Sequence, residues 1–356
     1  MNMVVFHAYS GFAYVVAQWG IWAAGGVAVP LCTTHPLPEQ LYTVQDSQAT
    51  LIIGHPVFSD RVSQLAQETD IPFITINDDE LLKWGQQAIN AETFDMDMER
   101  RAMILYTSGT TGKPKGVVTT HKNIDAQVSV LVEAWYWSAT DRIHHILPLH
   151  HVHGIINALS CALYAGATVE MHQKFDAVQV WDRWLSSAPP ASSNGSSGEN
   201  GDDDQQQDIP SRPRLSIFMS VPTVYAKLVK QYQSYSEADR PAYSNACRQF
   251  RFMVSGSASL PTPLRDTWRK LSCGQVLLER YGMTEIGMAL SQYYPVSERV
   301  EVRLMAESED GSGVFDKDVT DSRDIPGMVQ IKGPNVFKEY WQRPDATAKE
   351  FTEDGW

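Results

Sequence analysis

Residues 106–116 read YTSGTTGKPKG, with glycines at 109, 112 and 116, hydroxyl groups on Tyr106, Thr107, Ser108, Thr110 and Thr111, and two cations, Lys113 and Lys115. Glycine permits left-handed and close-approach backbone, hydroxyls donate hydrogen bonds, and the lysines add positive charge with no acid nearby. That combination suits a polyphosphate. Neither familiar phosphate fingerprint fits. G-x-x-x-x-G-K-[ST] fails because Pro114 stands where the second glycine belongs, and G-x-G-x-x-G fails on the glycine spacing. The stretch is a third kind of phosphate loop or a flexible surface turn, and its composition directly after an apolar strand favours phosphate.

Three further clusters could carry chemistry. In YGMTE, the Tyr281 ring can stack on a base, the Thr284 hydroxyl can bond a phosphate oxygen, and the Glu285 carboxylate can hold Mg2+. The plainer reading is a strand end with one exposed acid. HHILPLHHVHG holds His144, His145, His150, His151 and His153. His151-x-His153 could supply two zinc ligands on one face of an extended segment, but H-E-x-x-H is missing and no cysteine is close in sequence. Lining an anionic-substrate pocket is the favoured reading, with structural histidines close behind. VSGSASLP sets Gly256, Ser257 and Ala258 after a strand, where small residues let a flat ligand approach the backbone, although an ordinary turn explains it equally. Arg280 precedes Tyr281 in an otherwise apolar segment. A guanidinium there needs an anion, from a substrate or from an internal acid such as Glu279.

The elements that must position these residues alternate. A helix over SGFAYVVAQWGIWAA, with Ser10 as N-cap, leads to the strand VAVPL. Then come strand ATLIIG, helix SDRVSQLAQE, strand IPFITIN and strand RAMIL, with a helix opening near Thr120, so the phosphate loop is predicted to join a strand to a helix. A helix is expected from about Ile155 to Tyr164, and strands and helices continue through ATVEMH, RLSIFMSVP, TVYAKLVKQYQSY, FRFMVSG and TPLRDTWRKL. This pattern predicts an α/β protein built on mainly parallel sheets layered with helices.

Composition narrows the class. The chain has 356 residues, 43% of them hydrophobic, and a formal net charge of -13. An acidic surface argues against nucleic acid and anionic membranes as partners. Ala8 to Thr34 carries no charge, but Gly25, Gly26 and Pro30 break it into helix and strand, so no transmembrane segment is predicted, and no signal peptide either. Four separated cysteines, with no C-x-x-C, indicate a reducing compartment. Residues 186–213, rich in serine, glycine and acids, lack aromatic residues and are predicted to be a disordered insertion between residues 1–185 and 214–356.

Taken in order, YTSGTTGKPKG, LPLHHVHG, VSGSASLP, YGMTE and KGPNVFKEYW resemble the acyl-adenylate-forming, AMP-binding superfamily of acyl-CoA synthetases, over nearly the whole chain. LPLHHVHGIINALSCALYAGATVEM and LLERYGMTEIGMALS are most similar to malonyl-CoA synthetases, including the mitochondrial type for malonate and methylmalonate. The resemblance implies the large N-terminal domain of that fold with part of a small β-barrel, a Mg2+-dependent conversion of ATP and a carboxylate to acyl-AMP, and transfer to coenzyme A. It implies a mitochondrial address and leaves the oligomeric state open. It further implies that Thr107, Ser108, Gly109, Thr110, Thr111, Gly112, Lys115 and Gly116 cradle the ATP phosphates. Gly256, Ser257, Ala258, Tyr281 and Gly282 would surround adenine, Thr284 would contact the α-phosphate, and Glu285 would bind Mg2+. His151 would line the acyl pocket and Arg280 would take the distal carboxylate. The family's N-terminal α/β segment is expected before Met1, and its ribose-binding aspartate, hinge and C-terminal domain with the catalytic lysine after Trp356. Rival expectations are a medium-chain fatty acyl-CoA synthetase, a non-catalytic nucleotide-binding remnant and a zinc hydrolase.

Overall fold

A computed structural model of the chain describes residues 2–87, 96–107, 112–188, 212–291, 299–308 and 315–356. The first sheet contains β1 (Met3–His7), β2 (Val27–Pro30), β3 (Leu51–Gly54), β4 (Phe73–Thr75), β5 (Arg101–Tyr106) and β6 (Gly116–Thr120). A late strand, β16 (Glu339–Tyr340), joins it, and the order is β16-β6-β5-β2-β1-β3-β4. The second sheet contains β7 (Arg142–His145), β8 (Thr168–Met171), β9 (Ile217–Ser220), β10 (Phe252–Ser255), β11 (Leu277–Met283) and β12 (Gly287–Ser291), in the order β12-β11-β10-β9-β7-β8. It draws strands from both sides of residues 186–213. Three antiparallel strands, β13 (Glu301–Glu307), β14 (Phe315–Asp318) and β15 (Met328–Lys332), make a small third sheet.

β1 and β2 are buried along their whole length, which is why they read as unbroken apolar runs rather than alternating ones. Side chains still alternate between two cores. Val4 and Phe6 pack with the helices Phe12–Ala23 and His121–Ala134 and with Ile217 and Val254 of the second sheet, while Met3 and Val5 face Val44, Val62 and Leu65 on the other side. The second sheet's outer face buries Trp181, Trp184, Trp268 and Tyr225. The result is a helix–sheet–helix–sheet–helix layering.

Local sequence is overridden in three places. The segment after the predicted phosphate loop is not a helix but a strand, β6, that pairs antiparallel with β5. The β-branched run VVTT extends the strand before the helix His121–Ala134 starts. Thr120 does cap that helix, in a capping box in which its hydroxyl accepts from the Asn123 N–H at 3.1 Å and the Asn123 Oδ1 accepts from its own N–H at 2.9 Å. Ser10 does not cap the first helix. Gly11 holds that position, and Asp78 Oδ1 accepts from the Ala13 N–H at 3.0 Å. Most of the predicted insertion, residues 189–211, lies outside the described residues, but its two ends are not loose. Ser187 is fully buried with its hydroxyl 2.7 Å from Gln249 Oε1, and the Pro213 carbonyl accepts from Arg183 at 2.9 Å. Among the described residues no helix is long and apolar enough to cross a membrane.

Candidate active site

A cavity of about 1190 Å³ opens beside the carboxyl ends of strands from both sheets, the usual place for a ligand in an α/β fold. The β5–β6 segment contributes Thr107, Gly112, Lys113 and Lys115 to its wall, and the turn between β11 and β12 contributes Thr284 and Glu285. The fold therefore brings together two clusters that lie about 170 positions apart in the sequence. Ser108, Gly109, Thr110 and Thr111 lie outside the described residues.

β16 completes the contact between them. Tyr340 donates its hydroxyl to Glu285 Oε1 at 2.6 Å, and burial together with that carboxylate holds the phenol protonated, so it remains a donor. Lys115 Nζ sits 3.9 Å from the centre of the Tyr340 ring and 3.7 Å from Glu350 Oε1. Glu285 is only 8% exposed and lies on the cavity wall. Mg2+ takes one or two carboxylates and completes its shell with phosphate oxygens and water, so this single carboxylate fits as its protein ligand. Lys174 and Lys227 also line the cavity, which gives its wall four lysines with Lys113 and Lys115, against Glu285 and Glu350. A cationic lining in a chain of net charge -13 has the charge that suits a polyanion. Sequence reasoning missed Lys174, Lys227, Tyr340 and Glu350. Tyr340 stands in the quoted KEYW motif; the other three belong to segments with no local signature.

The small-residue motif divides. Gly256 is packed against the His153 ring, 3.1 Å from where its Cβ would be, and Ser257 is on the wall in a left-handed conformation with its Oγ 3.1 Å from His153 Nδ1. Ala258 is exposed and off the wall. Gly116 is also off it. A Cβ there would come 2.7 Å from Ile104, so this glycine serves sheet packing rather than close phosphate approach. Gly282 lines the cavity, whereas Tyr281, 49% exposed, is not part of its wall.

Arg280 departs from expectation. It is buried, but it does not line the cavity: its guanidinium lies 5.2 Å above the Trp135 ring and donates to the Glu279 carbonyl at 2.9 Å. Strand alternation puts it on the face of β11 that looks into the core between the sheets, where an aromatic surface receives it.

The histidines also separate. His150, His151 and His153 line the cavity; His144 accepts from the Trp184 indole N–H at 2.9 Å, and His145 Nε2 is 2.9 Å from the Gly154 carbonyl oxygen. His151 lies in a bend and His153 starts a π-helix, His153–Ser160, continued by the helix Cys161–Tyr164, so the pair is not on the extended segment that the two-ligand zinc reading assumed. Gly154 makes the tight entry possible, since a Cβ there would fall 2.2 Å from the Pro148 carbonyl oxygen.

Burial, with the neighbouring imidazoles of His145 and His151, pushes His153 down to about 4, and burial with Arg61 does the same to His7. Both bind fewer protons folded than unfolded between pH 6.5 and 4, so stability is full above that window and falls on acidification, by about 1.4 kcal/mol per pH unit for each such histidine. The urea midpoint should drop clearly between pH 7 and pH 5. A flat midpoint over that range would contradict the buried, neutral state of these rings.

The layered fold matches the N-terminal domain of the acyl-adenylate-forming fold, and the chain belongs to the AMP-binding enzyme family, whose model matches residues 2–188 and 200–341. Among curated relatives, it is 39% identical over 373 residues to the mitochondrial malonate–CoA ligase ACSF3 of Mus musculus, covering 97% of this chain and 59% of that protein. To the Homo sapiens form it is 36% identical over 370 residues, covering 97% and 60%. Among solved structures it is similar to ATP-bound MatB from Rhodopseudomonas palustris, with a TM-score of 0.78, 28% identity, and coverage of 99% of this chain and 64% of that one. The chain thus spans about three-fifths of the length of these curated relatives.

Proposed function

We propose that the chain is the ATP-binding part of an AMP-forming acid–thiol ligase acting on malonate or methylmalonate, with residues 1–185 and 214–356 as two parts of one nucleotide-binding domain. The carboxylate attacks the α-phosphorus and expels pyrophosphate, giving acyl-AMP; the coenzyme A thiol then displaces AMP and loses its proton, giving the thioester. The observation that carries this reading is the cavity wall, on which Lys113, Lys115, Lys174 and Lys227 surround the buried Glu285 and its neighbour Thr284. Thr107, Ser108, Thr110, Thr111 and Lys115 hold the β- and γ-phosphates, with Gly109, Gly112 and Gly116 shaping the loop. Gly256, Ser257 and Gly282 flank adenine, Ala258 and Tyr281 turn in from beside the wall to reach it, and Thr284 bonds the α-phosphate. Glu285 holds Mg2+, which neutralises phosphate charge when bound. His151 lines the acyl end. The ACSF3 relatives are named as mitochondrial, and we assign the same compartment here.

In this reading Arg280 leaves Trp135 to pair with the distal carboxylate of malonate. A broken buried ion pair costs roughly 3–5 kcal/mol, and leaving the ring costs about 1–2. The net of roughly 2 kcal/mol makes Arg280→Met weaken malonate binding to the ATP-loaded chain about thirtyfold while octanoate changes little. The position of Arg280 away from the wall favours a second reading, a ligase for medium-chain fatty acids. Calorimetry with malonate, methylmalonate, acetate and octanoate decides: tighter octanoate binding, or malonate binding indifferent to Arg280→Met, overturns the dicarboxylate assignment and leaves the ligase class standing.

A further inference from the structure

We propose that Cys32, His35 and His150 form a binding site for a borderline-soft divalent metal ion, with Zn2+ the best match, at the rim of the cavity and separate from Glu285. One ligand atom from each of the three residues lies within 4.8 Å of the other two. Cys32 and His35 come from the turn after β2, spaced as C-x-x-H, and His150 comes from the loop after β7, 115 positions further on. The histidine-rich stretch has no cysteine near it in sequence; the fold supplies one from the neighbouring sheet. A thiolate with two imidazoles is a donor set that selects zinc over magnesium or calcium.

The geometry around the trio supports ligation. His35 Nδ1 lies 3.2 Å from Glu39 Oε2, one helical turn on, which is the arrangement that fixes an imidazole and leaves its other nitrogen for a metal. The His35 and His150 rings are 5.8 Å apart at their centroids. Bond lengths of about 2.3 Å to sulfur and about 2.0–2.1 Å to nitrogen put tetrahedral ligand atoms roughly 3.3–3.7 Å apart, so closing on an ion takes about 1 Å of side-chain movement. Thr33 and Thr34, between the first two ligands, and His150 itself line the cavity, so the fourth position faces the substrate side and is open to water or a substrate oxygen.

The test is titration of the purified 356-residue chain with Zn2+ by calorimetry and with Co2+ by absorption. The expected result is one equivalent of metal with micromolar or tighter affinity and, for Co2+, tetrahedral d–d bands together with a thiolate charge-transfer band. Cys32→Ser should remove the charge-transfer band, and His150→Ala and His35→Asn should each weaken Zn2+ binding at least about tenfold. His35 is the exposed member, so its replacement tests the site without disturbing the core. Zn2+ should raise the melting temperature of the wild type and not of His35→Asn. Cys273→Ser, at the exposed cysteine, should change nothing. No stoichiometric binding, binding indifferent to His35→Asn, or a thiolate band lost with Cys273 instead of Cys32 would overturn the proposal.

Discussion

Gly282→Val should abolish ATP binding and destabilise the fold by about 3 kcal/mol, the upper end for overpacking a buried position. A Cβ on Gly282 would stand 2.1 Å from the Gly287 carbonyl oxygen and 3.1 Å from Met288 Cα. Both are backbone atoms, so no side-chain rotation relieves the clash. The pairing register between β11 and β12 shifts between Tyr281 and Gly282, and Gly287 takes a left-handed conformation, so the hairpin closes only because both residues are glycine. Thr284 and Glu285 occupy the turn between them, and any displacement of the Gly287 carbonyl moves both off the cavity wall. Gly85→Ala, in the helix Asp78–Gln87 with nothing within 4 Å of the new methyl group, is the control and should gain about 0.5–1 kcal/mol. The urea midpoints of the two variants and a calorimetric ATP titration check both halves of the prediction. Near-wild-type ATP affinity in Gly282→Val would mean that the β11–β12 turn does not bind nucleotide.

Glu285→Gln should lower malonate-dependent ATP–pyrophosphate exchange by about 10²- to 10³-fold, the usual loss when a preorganised charge at a transferring phosphoryl group is removed. Glutamine keeps the shape of the side chain and its bond from the Tyr340 hydroxyl, so the fold should be unaffected. The same substitution should remove most of the Mg2+ dependence of ATP binding, a readout that needs no turnover. ATP affinity that still rises with Mg2+ as in the wild type would show that Glu285 is not the metal's carboxylate.

Much of this architecture can be read from local pattern. The parallel strands stand out as short apolar runs, as in VAVP and LIIG, and Thr120 marks its helix start because a capping box needs only residues three apart. What cannot be read locally is decided by distant partners. Asp78 caps a helix 65 positions earlier, Tyr340 finds Glu285 across 55, and Cys32 meets His150 across the two sheets. The strand RAMIL before the loop was legible, but its antiparallel pairing with β6 was not, because the β-branched residues after the loop give no local sign of the partner they pair with. Arg280 shows the converse. Its burial was legible from its apolar neighbours, but which buried surface would receive it depended on Trp135, at the end of a helix 145 positions away.

The central claim, that this cavity is an ATP site, is tested most directly by calorimetric titration of the 356-residue chain with Mg-ATP, beside Lys115→Ala. Lys115 is already held on the wall by Tyr340 and Glu350, and a charge-assisted bond to phosphate is worth roughly 1.5–3 kcal/mol. The predicted result is a single saturable site whose affinity falls at least about tenfold in the folded variant. Absence of binding, or equal affinity in Lys115→Ala, would contradict it.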